Sequence, residues 1–135
     1  FIENIPFFAY GKGDEFQKVK FSLKNFYIVI VKTQVHIDSA TAYANITSSN
    51  HKYPVKEIVQ LPVQKWKKYM LNDFEEYVFE RYPEISDVKR ELYKQEAVYV
   101  SLSGSGSAVY GIFRAPVNLR ELFPDYFTWQ GRSIF

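Results

Sequence analysis

At 135 residues, 47% hydrophobic and with a net charge of +2, the chain has the size of one domain around one core. So mild a positive surplus makes no case for nucleic acid or an anionic membrane, either of which needs clustered Lys and Arg. With no cysteine, disulfides, thiolate metal sites and a Cys nucleophile are excluded, and a reducing cytoplasm is the compatible compartment. No apolar run reaches membrane-spanning length, and no signal peptide is visible. The chain opens on Phe1 rather than Met, which predicts a piece of a longer polypeptide.

Residues 6–10 and 15–19, parted by Gly11, Lys12, Gly13 and Asp14, predict strand, turn and strand. Residues 26–32 form a continuous β-branched and aromatic run, the pattern of a central strand covered on both faces or lying at a domain junction. Residues 47–54 read as a loop, and 55–61 as a short helix. From 63 to 82 the recurrence of Trp66, Tyr69, Met70, Phe74, Tyr77 and Val78 predicts one long helix. Lys65, Lys67, Lys68, Glu75, Glu76 and Glu80 then form its solvated face. Pro83 ends that helix, and a second follows over 84–95 with Ile85, Val88, Leu92 and Tyr93 as its buried stripe. Asn118 is placed to cap a single turn over 119–123, and 125–129 is the candidate last strand, with 131–135 as a tail.

Between these lie two apolar segments, 97–102 and 108–113, joined by Ser103, Gly104, Ser105, Gly106 and Ser107. They predict a β-hairpin. Its loop admits two readings: a tight turn of small polar residues, or a phosphate-binding nest in which glycines leave the amide N–H groups uncovered and the serines add hydroxyl donors. Other constellations carry less. His36 and His51 have no carboxylate or histidine at ligand spacing, so neither a metal site nor a catalytic dyad is expected. Gly11-Lys12-Gly13 lacks the spacer and the hydroxyl residue of a phosphate-binding loop of Walker type. Aromatic strands raise an RNA-recognition alternative, but its basic and aromatic signature is absent. The element order predicts an α+β fold, an antiparallel sheet with helices on one face.

The run from Glu96 to Phe113, together with Leu71-Asn72-Asp73-Phe74-Glu75 and Tyr82-Pro83-Glu84-Ile85, resembles the C-terminal half of the GHMP family of small-molecule kinases. The resemblance extends over nearly the whole chain and implies a ferredoxin-like C-terminal domain, residues 1–135, without the N-terminal ATP-binding half. It places Ser103, Gly104, Ser105, Gly106 and Ser107 beside the phosphates. It also makes residues 33–46 a strand-to-helix passage whose helix Asp38 or Ser39 can cap, and there Tyr43 takes the position that stacks on the substrate's cytosine, against the alternative of a helix residue packing on the sheet. The members most similar act on a cytidine-diphosphate-linked methylerythritol in non-mevalonate isoprenoid biosynthesis. ATP and Mg²⁺ are then implied for the full-length parent, with no tight binding to this chain alone. Asn4-Ile5-Pro6 best matches a segment later than the one that bears the catalytic Asp, and an alternative register puts Asn4 where that Asp belongs; either way no catalytic Asp is matched at this end. Departures fall at Thr33, where the family has Pro, at Asp38-Ser39, where it has Ser-Thr, and at Glu96, where it has Gly in a left-handed turn. The implied partners are the missing N-terminal kinase domain and a small-molecule substrate, with a homodimer expected through exposed aromatic surface. The alternatives are an excised or redesigned domain without native activity and a non-catalytic ligand-binding module.

Overall fold

The structure is a computed structural model that describes residues 5–46 and 53–134. Asn4, His51 and most of the 47–54 loop lie outside them.

The hairpin expected near the start is present: β1 (Phe7–Tyr10) pairs antiparallel with β2 (Glu15–Lys18) as a separate two-stranded sheet. The main sheet is built from β3 (Tyr27–Lys32), β4 (Tyr99–Leu102), β5 (Ala108–Phe113) and β6 (Phe127–Arg132). Its order is β4-β5-β3-β6 and every pairing is antiparallel. That order, with helices between β3 and β4 and between β5 and β6, is the split βαβ arrangement of ferredoxin-like domains. Residues 26–32 are thus the central strand, as their unbroken apolar run demands. The last strand runs through Gly131 and Arg132, where a tail was expected.

Register decides which side chains share a face. Val29 and Val31 align with Gly111 and Val109, and these with Val100 and Leu102, so one face gathers a row of small β-branched groups. Onto it pack α1 (Ser39–Ala44), α4 (Phe74–Arg81), α5 (Pro83–Lys94) and α6 (Leu119–Leu122), through Ala42, Val78, Ile85, Val88, Leu92 and Leu119. Ile28, Ile112 and Tyr99 point the other way and meet Leu23 together with α2 (Val55–Ile58) and α3 (Val63–Tyr69), where Ile58, Val63 and Trp66 are buried. The helix-covered face is therefore as expected, and a second, shorter layer lies across the sheet.

The helix expected over 63–82 is two. Met70 leaves helical geometry at φ −95° and ψ 110°, and the Asn72 side chain accepts from Phe74 N at 3.0 Å, starting α4 anew. An Asn side chain offers the backbone this alternative to a continuing helix. The break carries the chain around the β4 edge, so Trp66 and Met70 join one core while Phe74 and Val78 join the other.

Side chains from this crossing seal the edge it passes. In β4 the pairing with β5 leaves the N–H and C=O groups of Val100 and Leu102 pointing outward. The Tyr93 hydroxyl accepts from Val100 N at 3.1 Å and donates to Val100 O at 3.3 Å. Glu75 Oε1 accepts from Leu102 N at 3.0 Å, and Asn72 Nδ2 donates to Leu102 O at 2.9 Å. No further strand can add to an edge so occupied. Burial holds the Tyr93 hydroxyl above the ordinary phenol range, which keeps its proton available to Val100 O.

Candidate functional site

The loop from Ser103 to Ser107 closes the β4–β5 hairpin. Ser103 N donates to Ala108 O at 2.8 Å and Gly106 N to Ser103 O at 3.1 Å, a tight reversal with Gly104 at φ 58° and Gly106 at φ 100°. Both values lie where an L side chain is strained. At Gly106 space is short as well, for an added Cβ would lie 2.7 Å from Ile37 Cδ1. Ser103 and Gly104 are exposed, Ser105 and Gly106 half-buried, and Ser107 is buried.

Two residues of the 70–75 segment fix the base of this loop. Besides Leu102 O, the Asn72 amide donates to Gly104 O at 3.0 Å. Glu75 accepts from Ser101 Oγ at 3.2 Å as well as from Leu102 N, while its other oxygen takes Lys89 Nζ at 2.6 Å. Glu75 is only 15% exposed. Placing it on a solvated helix face is corrected here: α4 faces the sheet edge at its first turn, and outward N–H groups there need an acceptor. The Leu-Asn-Asp-Phe-Glu run held the clue, because Asn-Asp within an apolar helical pattern signals a new helix start.

The second approach to the loop comes from α1. Asp38 caps that helix, with Oδ2 accepting from Thr41 N and Thr41 Oγ1, both at 2.7 Å. Those two bonds hold its carboxyl below the usual carboxylate range, so it is ionised at neutral pH. Ser39 Oγ lies 3.3 Å from Ser105 Oγ, which brings the start of α1 against the loop. One turn on, Tyr43 is 68% exposed and touches the protein through an edge-on contact with Phe74, ring centroids 5.0 Å apart. It does not pack onto the sheet.

On the other flank, Lys32, Thr33, Gln34, His36, Gly106 and Ser107 help line an open cavity of about 360 Å³. Thr33 is buried and its hydroxyl has no hydrogen-bond partner, the physical consequence of a hydroxyl where proline was expected. Glu96 has φ 65°, the left-handed turn into β4 that its position predicted. Among the described residues no three His, Asp or Glu side chains converge as a metal site. None of their helices is long and apolar enough to cross a membrane.

The family model for the C terminal of GHMP kinases matches residues 55–123, from α2 through the loop to the end of α6. The chain belongs to this family. A curated relative from Parabacteroides distasonis, named 4-diphosphocytidyl-2-C-methyl-D-erythritol kinase, is 44% identical over 134 residues, 98% of this chain and 49% of its own length. A relative of the same name from Bacteroides thetaiotaomicron is 46% identical over 121 residues, covering 90% of this chain and 44% of its own. The chain thus spans about half the length of the relatives it matches. A crystal structure of 4-(cytidine 5'-diphospho)-2C-methyl-D-erythritol kinase superposes with a TM-score of 0.71 at 20% identity, over 91% of this chain and 47% of that one. At that identity the likeness is one of fold, and it agrees with the GHMP C-terminal architecture described above.

Proposed function

We propose that this chain is the C-terminal portion of an ATP-dependent kinase that phosphorylates a hydroxyl of 4-diphosphocytidyl-2-C-methyl-D-erythritol, in non-mevalonate isoprenoid biosynthesis. The observation that carries the reading is the meeting of Ser39 and Ser105. It sets the glycine-serine loop next to the helix that bears the exposed ring of Tyr43, so one ligand with phosphates at one end and a base at the other can reach both. In this reading the exposed part of the loop, with Gly104 as its backbone opening and serine hydroxyls beside it, binds phosphate oxygens. Tyr43 stacks on the cytosine, a contact that an exposed aromatic face supports.

Phosphoryl transfer rests on positioning and charge stabilisation by several parts at once. This chain offers one of them. Its described residues do not present a donor set fit for Mg²⁺, and in this proposal the metal and the nucleotide cradle lie with the other half of the kinase. Asp38 stands within one residue of Ser39 and is ionised, so its charge weakens phosphate binding relative to a family member with Ser there.

The test is an amide NMR titration of the 135-residue protein with cytidine 5'-diphosphate, beside an ADP-release assay with ATP, Mg²⁺ and the full substrate. Shifts at Gly104 to Ser107 and on the Tyr43 ring are expected, with no turnover by the chain alone and turnover once it is fused to the N-terminal half of the Parabacteroides distasonis relative. Absence of shifts at both places, or ADP release by the chain alone, would overturn the reading.

A further inference from the structure

The two faces of the main sheet are covered unequally. Against Val29, Val31, Val100, Leu102 and Val109 the chain supplies a complete helical layer, and all five are buried. On the opposite face α2 and α3 cover the rows that contain Ile28, Ile112 and Tyr99, with Tyr110 packed at the margin of that layer. The next rows, toward the Ser103–Ser107 end, run from Trp129 through Ile30 to Tyr110 and from Phe127 through Lys32 to Ala108. Phe127 is 64% exposed and Trp129 48%, while Ile30, Tyr110 and Ala108 are half-buried. The Trp129 indole lies over its own strand at Gly131, where an added Cβ would sit 2.5 Å from the ring. That bed holds the ring on the sheet face and leaves its far side open.

We infer that this uncovered half-face, centred on Phe127 and Trp129, is the surface on which the N-terminal half of the kinase polypeptide packs. The inference rests on the kinase reading above. Three observations select that occupant. The curated relatives are about twice as long as this chain, and the matched family model is that of the C terminal part, so in them a further folded half precedes the matched segment. The chain's own elements already cover the other face and the β4 edge, which leaves this region as the part of the sheet wanting cover. Its rows also end beside the glycine-serine loop, so whatever packs there lies next to that loop. The β1–β2 hairpin forms a sheet of its own and touches α2, with Gln17 Oε1 accepting from Lys56 Nζ at 2.5 Å. Exposed apolar groups set together as Phe127 and Trp129 are mark an interaction surface.

The two tryptophans make the surface directly readable, because Trp66 is buried under α3 and Trp129 is exposed. With 5-fluorotryptophan incorporated, and Trp129→Phe to assign the signals, the ¹⁹F shift of Trp129 responds to exchanging H₂O for D₂O in the 135-residue protein while that of Trp66 does not. When the chain is fused to the N-terminal half of the Parabacteroides distasonis relative, the response of Trp129 is expected to be lost, with Trp66 unchanged as the folding control. A response retained in a folded fusion overturns the inference. So does its loss in the 135-residue protein alone as concentration rises, which would make a second copy the occupant. Should Trp66 report an unfolded fusion, hydroxyl-radical footprinting of the full-length Parabacteroides distasonis enzyme against this 135-residue protein decides instead. Protection of the strand aligned with 127–132 is then expected, and equal labelling overturns the inference. No ligand enters either readout, so a fusion that turns over substrate with Trp129 still exposed would remove the docking surface and leave the kinase reading standing.

Discussion

The two edge strands of the main sheet solve the same problem differently. The β4 edge is closed from within: the chain crosses it between α3 and α4, and Asn72, Glu75 and Tyr93 answer the outward backbone groups of Val100 and Leu102. No helix crosses at β6, and that strand instead presents Phe127 and Trp129 to solvent on its less covered side. The contrast teaches that edge protection here follows the route of the chain. Where a connection passes an edge, its side chains lie close enough to replace a neighbouring strand; where none passes, the strand keeps exposed apolar groups.

Glu75→Ala should give the largest effect. It removes the acceptor of Leu102 N and Ser101 Oγ and strands the half-buried Lys89, so a loss of about 2–4 kcal/mol is expected. Urea denaturation reads it as a lower midpoint at unchanged slope. A change as small as that of an ordinary surface substitution would show that the edge is not held by this carboxylate. Next in size, Asn72→Ala removes the bonds to Leu102 O and Gly104 O and the acceptor for Phe74 N, at about 1–2 kcal/mol. Amide exchange at residues 102–106 should accelerate beyond that in β6, and uniform acceleration across the sheet would break the local assignment. Glu96→Gly, at the turn into β4, is expected to stabilise by up to about 1 kcal/mol, since only glycine adopts φ 65° without strain. A lower thermal midpoint would contradict it. Phe127→Ser should move the stability of the 135-residue protein least, within about 0.5 kcal/mol, because a ring 64% exposed contributes little until something covers it. A large loss would mean that Phe127 belongs to the core of this chain, and the difference between the two edges would vanish.

Much of this was legible in the residues. The unbroken run at 26–32 predicts a central strand, and it lies inside the sheet between β5 and β6. The Ile85, Val88 and Leu92 stripe requires one buried helix face, and all three are buried. The reversal between two apolar segments requires a hairpin, with glycine where φ is positive, whereas the left-handed conformation at Glu96 was implied by the family resemblance alone. These are local properties: the period of the apolar groups and the allowed backbone angles act within a few residues, so they survive without knowledge of the fold. The single helix over 63–82 failed because its apolar spacing is compatible with one continuous face or with two faces serving different cores, and spacing cannot distinguish them. Only the position of the β4 edge decides that the chain must break at Met70 and that Glu75 points at backbone rather than at water. The same holds for Tyr43 and Trp129. Their aromatic character is written in the sequence, but whether a ring lies inside or outside depends on which neighbouring element occupies the space beside it, and that is a property of the assembled tertiary structure alone.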